Sequence, residues 1–255
     1  MLRRFLLRKP PPPEPAVLTV AFDGEVYEVR VRRHAQARRY TLRIHAATRE
    51  VLLSMPVRGS LREANVFAQK HGAWIAARLK RLPGGTPFAH GALVPLRGVP
   101  HRIEHRSGIR GTVWAECGDD GAQLLCVAGE KPHVPRRVRD YLKREAKKDL
   151  ERASRAAAAS LGVGLKRISI RDQTSRWGSC STTGVLSYSW RLILAPPFVL
   201  DYLAAHEAAH LVEMNHSRRF WRLVEGIYPD VARAKSWLDA HGADLHRYGA
   251  DTNLA

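Results

Sequence analysis

Apolar and polar positions alternate from about Ala16 or Val17 onward, where ordered structure is expected to begin. Leu18, Val20 and Phe22 alternate with Thr19 and Ala21, Asp23-Gly24 supplies a two-residue turn, and Val26, Tyr27, Val29 and Val31 form a returning strand. Two more strands are expected around Tyr40 to Ile44 and Val51 to Met55. Ser60 is placed to cap one helix running to about Leu82, with Leu61, Ala64, Phe67, Trp74, Ile75 and Leu79 on its apolar face. Pro83-Gly84-Gly85 would end it. From Leu93 to Val127, glycines and short alternating runs read as several strands.

The pattern then changes period. Val138, Tyr141, Leu142, Ala146 and Leu150 recur at helical spacing, so Val134 to Leu161 reads as a helix closed by Gly162. Ile168-Ser169-Ile170 suggests a short strand. Leu186, Tyr188, Trp190, Leu192 and Leu194 alternate with Ser187, Ser189, Arg191 and Ile193, which predicts a longer strand over 186–194. Pro196-Pro197 starts the next helix, because proline fits the first turn, where its missing N–H is not needed. Four regions are expected: a proline-rich tail over 1–16, a β-rich region over 17–130 with one long helix, a core over 131–245 and a C-terminal tail over 246–255. The fold class is α+β.

Composition narrows the setting. The 255 residues allow one good core or two small domains, and 45% hydrophobic content with six Trp argues that most of the chain folds. Phe5-Leu6-Leu7 is far too short for a signal-peptide core or a membrane span, which implies a soluble, cytoplasmic protein with no membrane partner. Cys117, Cys126 and Cys180 show no paired spacing, so a reducing compartment fits better than a disulfide framework and no zinc ribbon can be built from them. The net charge of +18 attracts phosphates or acidic surfaces without identifying one. The basic helix from Arg136 to Arg155 makes nucleic acid a candidate partner.

The helix after Pro197 carries His206-Glu207-Ala208-Ala209-His210. Two histidines four apart lie on one helix face, so both imidazoles can reach one ion. Glu207, from the adjacent position, can take a proton from a water polarised by that ion and later return it to a leaving group. Zinc suits imidazole ligands, and catalytic zinc sites keep three protein ligands with one position open. The third ligand is expected to be His216, with Glu213 or Glu225 as carboxylate alternatives. Reaching His216 requires the chain to turn, with Asn215 as a left-handed hinge and Ser217 capping a following helix.

At these residues the sequence resembles the metallopeptidases named for the bacterial YgjP protein, relatives of the SprT and WLM zinc peptidases. The matching stretches are Arg176-Trp177-Gly178-Ser179-Cys180, the run Trp190 to Pro196, and His206 through Trp221. Weaker agreement covers the early strands, Trp74-Ile75 and Val94 to Gly98, so that most of Val17 to Leu238 is spanned. The resemblance implies a zincin-like core with the motif helix packed on a small sheet, His206, His210 and His216 as zinc ligands, and Glu207 as base. Ala208 stands where relatives usually carry leucine, and Ser189 where many carry asparagine.

The expected substrate is a peptide or protein, paired along an exposed strand edge near the metal. The strand over 186–194 is the candidate edge, with Arg176, Tyr188 and Ser189 as candidate substrate contacts. Trp177, Trp190 and Cys180 read as structural. Two other functions are compatible with the motif: hydrolysis of a nucleotide polyphosphate, for which no phosphate-cradling glycine loop is present, and a nucleic-acid-associated factor in which the metal only holds the fold.

Overall fold

The computed structural model describes residues 16–44, 49–81, 84–173 and 175–249, so the proline-rich tail, Ala16 excepted, and residues 250–255 lie outside it. The described chain divides into two compact units, 16–44 with 49–81, and 84–249.

In the first unit, β1 (Val17–Phe22) and β2 (Glu25–His34) form the expected hairpin. Asp23 and Gly24 both take positive φ, 52° and 78°, the geometry whose twist matches that of the flanking strands. β3 (Thr41–Ile44) and β4 (Val51–Pro56) complete a sheet of order β1-β2-β4-β3, with β4 parallel to β2. Alternation sends Val29, Val31, Val51, Leu53 and Met55 to one face, where they are buried with residues of α1 (Leu61–Lys70) and α2 (Gly72–Lys80). The single helix expected over 60–82 is therefore two. His71 leaves helical geometry (φ −102°, ψ 14°), its Nδ1 lies 2.8 Å from the Phe67 carbonyl, and Gly72 then sits against Val20 and Phe22 of β1. Ala64, Ile75 and Leu79 are buried as expected, with Ala68 beside them, whereas Leu61 and Trp74, expected on the same face, are exposed.

The second unit begins with β5 (Leu93–Leu96), β6 (Val99–Arg106), β7 (Val113–Cys117) and β8 (Gln123–Ala128), in the order β5-β6-β8-β7. The long helix α3 (Val134–Ser160) buries Val138, Tyr141, Leu142, Ala146 and Leu150, the residues that its periodicity selected. A three-stranded sheet follows, with β9 (Arg167–Arg171), β10 (Gly178–Cys180) and β11 (Val185–Ser189) in the order β10-β11-β9. The strand expected over 186–194 stops at Ser189. Trp190 to Leu194 form a 3-10 turn in which all five residues are buried, so alternation of faces ends there; Ser189 Oγ accepts from Arg191 N at its start. Three helices close the unit: α4 (Pro197–Ala209), α5 (Arg218–Ile227) and α6 (Val231–His241). The architecture is α+β, with α4 packed on α3 and against β10. No described helix is long and apolar enough to cross a membrane.

The turn between β5 and β6 anchors the segment that leads into α4. Arg97 and Gly98 take positive φ, 54° and 79°, and their amides donate to the carbonyls of Ile193 (2.7 Å) and Leu194 (3.2 Å). Arg97 also reaches α3, with Nε 2.7 Å from Asp149 and Nη2 2.7 Å from Glu145; its bond to Asp149, aided by Glu145, raises its pKa above the ordinary guanidinium value. A Cβ at Gly98 would lie 3.0 Å from Pro196 Cα, backbone that cannot swing aside. Gly108 has a similar φ, 74°, with open space around it. Gly98→Ala is thus expected to cost more than the roughly 1–2 kcal/mol of the left-handed backbone alone, and Gly108→Ala only that. Denaturant melts of both variants test this, and equal losses would show that the Gly98 contact is unimportant.

Candidate metal centre

α4 is buried on almost every side, with Val199, Leu200, Leu203, Ala204, Ala208 and Ala209 inside, so its last turn has a fixed position. His206 and Glu207 lie in that turn and His210 caps it. The helix tightens and stops: the amides of Leu211 and Val212 donate to the carbonyls of Ala208 and Ala209, both at 3.0 Å. Asn215 turns the chain by a route other than the one expected. It does not adopt a left-handed backbone; its Oδ1 accepts from Ser217 N at 3.0 Å. Ser217 then caps α5, as expected, its Oγ accepting from Phe220 N at 3.3 Å.

This turn brings His216 back to the other two histidines. One ligand nitrogen of each of His206, His210 and His216 lies within 4.8 Å of the others, and no carboxylate joins the group among the described residues. Glu213 instead offers its carbonyl to His210 Nδ1 at 3.0 Å, which leaves His210 Nε2 free for an ion. The Nε2 atoms of His206 and His216 are 3.2 Å apart. Two nitrogens bound to one tetrahedral ion at about 2.0–2.1 Å would be about 3.3 Å apart, so this pair has the spacing of two ligands of such an ion. Burial, and secondarily the neighbouring His210, His216 and Lys235, push the His206 pKa down to about 4; burial also lowers that of His210. Both imidazoles are neutral near pH 7, the form that ligates.

Phe220 forms a floor beneath all three rings. It is fully buried, and its ring centre is 4.9, 4.4 and 4.8 Å from those of His206, His210 and His216. Trp221 flanks His206 and His216 at 5.8 and 6.0 Å. The helical periodicity of α5 marks Phe220 as core, and nothing local in the sequence shows which rings it supports.

Glu207 is 4% exposed, and its Oε2 has no hydrogen-bond partner among the described residues. Burial pushes its carboxyl up to about 7, and the cationic Arg176 nearby works against that rise. Gly178, the first residue of β10, faces it so closely that a Cβ there would lie 2.7 Å from Glu207 Cγ and 2.8 Å from Cδ. Glycine is thus required beside the carboxylate, a long-range relation that local spacing could not reveal.

The substrate contacts expected from sequence part company. Arg176 is exposed and near Glu207. Tyr188 and Ser189 are both fully buried: the Tyr188 hydroxyl lies 3.0 Å from Ser154 Oγ, and Ser189 caps the turn after β11. β11 is the central strand of its sheet, not an edge, because β9 and β10 occupy both of its sides. β9 and β10 are the edge strands, and β10 begins beside Glu207. Trp190 is fully buried, and Trp177 stacks on His246 with ring centres 5.0 Å apart.

A helix-borne carboxylate beside three converging imidazoles can hold a divalent ion and take part in proton transfer next to it. The YgjP-like, metallopeptidase domain family matches residues 38–241, and the chain belongs to that family. It is therefore a metallopeptidase, and the family implies a divalent metal and a peptide or protein substrate. Among solved structures, the metallopeptidase zymogen of Pyrococcus abyssi abylysin is 26% identical, over 40% of this chain and 97% of that one, with a TM-score of 0.32. No curated protein matches the sequence.

Loss of the floor should be felt at the metal. Phe220→Leu, which keeps an apolar side chain but no ring, is expected to weaken divalent-metal retention by about 10- to 100-fold, the range for residues that orient ligands. Chelator competition measures this, and unchanged affinity would mean that the imidazoles are held in place without the ring.

Proposed function

We propose that the chain is a zinc-dependent peptidase in which His206, His210 and His216 hold the ion and Glu207 is the general base. The observation that carries this reading is the convergence of three imidazole donors beside one buried carboxylate whose Oε2 has no partner among the described residues. An all-imidazole set of three suits zinc better than calcium or magnesium, which take oxygen ligands. When bound, zinc supplies a Lewis acid that polarises the scissile carbonyl and makes water easier to deprotonate.

The chain's own residues do the rest. Glu207 accepts a proton from the attacking water as oxygen bonds to the carbonyl carbon, and then passes that proton to the amide nitrogen as the C–N bond breaks. Gly178 leaves the carboxylate room to remain at the centre. Arg176 is exposed and near Glu207, and a guanidinium there can stabilise negative charge developing on the carbonyl oxygen. The free edge of β10 offers backbone groups to an extended peptide, which would carry its scissile bond past Glu207.

Glu207→Gln keeps the size of the side chain and removes its capacity to take a proton. It is expected to bind zinc in full stoichiometry and to lose about 10²- to 10⁴-fold in peptide hydrolysis. Metal removal should abolish cleavage and zinc should restore it. A Glu207→Gln enzyme with the full rate contradicts the assignment of the base, and cleavage of nucleotide polyphosphates but no peptide in a substrate panel contradicts the peptidase.

Gly178→Ala gives a second test. The added methyl must displace the Glu207 carboxylate, so turnover should fall at least tenfold while zinc stoichiometry stays unchanged. Full turnover in this variant would show that the close approach of Gly178 has no part in positioning the base.

A further inference from the structure

The solvent face of the first unit's sheet carries an arrangement that peptide hydrolysis does not use. Alternation along β2, β3 and β4 turns Val31, Leu53 and Leu42 toward the core and Arg30, Arg32, His34, Thr41, Arg43 and Ser54 away from it. Register groups these into rows: Arg32, Ser54 and Thr41 are successive partners across β2, β4 and β3, and Arg30, Leu52 and Arg43 form the next row. Between β2 and β3 the chain adds Arg38 and Arg39. This face holds an open cavity of about 700 Å³, with His34, Arg38, Arg39, Thr41, Arg43 and Ser54 in its wall.

Three features define what this cavity can take. First, the cations in and beside it are available: Arg38, Arg39 and Arg43 of the wall, and Arg32, the register partner of Ser54, are exposed and have no ion-pair or hydrogen-bond partner among the described residues. Second, no acidic residue lines it. The nearest acids on this face, Glu28 of β2 and Glu50 just before β4, stand one row beyond Arg30 and Arg43, and Glu50 is closed on Arg30 at 2.8 Å. Third, no aromatic ring lines it either. Tyr40, between Arg39 and Thr41, directs its hydroxyl to Glu63 at 2.7 Å and its ring to Phe67, so there is no platform on which bases could stack.

Guanidinium forks combined with hydroxyl and amide donors are the groups that hold phosphate oxygens. A cavity with several such donors, no acid and no aromatic suits a dense row of phosphates read without regard to base identity. We propose that this face of the first unit is a binding site for the phosphate backbone of nucleic acid, formed by Arg32, Arg38, Arg39 and Arg43. α3, the basic helix that the sequence made conspicuous, is a poorer candidate. Its cations are interspersed with Asp140, Glu145, Asp149 and Glu151, and three of them are engaged: Arg137 donates to the Gly111 and Ala128 carbonyls, Arg139 to that of Gly249, and Arg155 is paired with Glu151.

The test uses the full chain and a fluorescent 20-base-pair DNA duplex, with affinity measured by anisotropy over a range of salt concentrations. Arg38→Gln, Arg39→Gln and Arg43→Gln combined should weaken binding at least tenfold. They should also lower the slope of log affinity against log salt by about 2 to 3, since each phosphate that a cation neutralises adds about 0.9 to that slope. Peptidase activity should be unchanged, and a thermal melt followed by circular dichroism, matching the wild type, reports that the first unit is folded. The corresponding triple lysine variant should retain most of the slope. Arg136→Gln, Lys147→Gln and Lys148→Gln combined remove the same charge from α3 and should change the slope by less than 1. Equal losses in both glutamine triples would overturn the proposal in favour of a diffuse field. So would wild-type binding of polyglutamate or anionic vesicles as tight as that of the duplex. Displacement of the duplex by stoichiometric tripolyphosphate would reassign the site to a free phosphate ligand and overturn the nucleic-acid assignment.

Discussion

The end of α4 at His210 is the constraint on which the site depends. Were the helix to continue, His216 would lie about 9 Å further along the axis and two-thirds of a turn past the face of His210, out of reach of any shared ion. The chain instead closes its last turn with short-range amide bonds and reverses through Asn215 and Ser217, so that His216 Nε2 comes within 3.2 Å of His206 Nε2. The ligands therefore sit on two elements whose relative placement must be fixed by packing. Phe220 supplies that, as a buried ring in contact range of all three imidazoles.

The rest of the second unit holds α4 still. α3 runs along it, the Arg97-Gly98 turn is bonded to the segment just before it, and Arg97 ties that turn to α3 through two carboxylates. Gly178 brings β10 against Glu207, which joins the base to an edge strand of the sheet. Neutral histidines and a carboxyl raised by burial are the cost of placing ionisable groups in this interior, and they are also the chemical forms that metal binding and proton transfer require.

Much of this was legible in the sequence because it rests on local rules. The hairpin at Asp23-Gly24, the amphipathic face of α3, the proline start of α4 and the Ser217 cap are each set by neighbouring residues, and each is found where the pattern places it. The pairing of His206 with His210 follows from helical period alone. The misread parts are those where tertiary contacts outweigh pattern. Trp190 to Leu194 alternate like a strand, yet all five are buried, so a 3-10 turn serves them better. Tyr188 and Ser189 are expected at the cleft because their strand reads as the edge that pairs with substrate, but the sheet order puts β11 in the centre and both side chains inside. His71 breaks a helix that periodicity would carry through. Gly178 stands 29 residues from Glu207, and no spacing rule connects them.

Anomalous X-ray diffraction at the zinc edge, on crystals of the zinc-loaded protein, tests the central claim most directly. The account requires one strong peak at which nitrogens of His206, His210 and His216 converge, each about 2.0–2.1 Å away, with Glu207 nearby and not bound. A peak on Glu213 or Glu225, coordination that omits His216, or no zinc at these residues would contradict it.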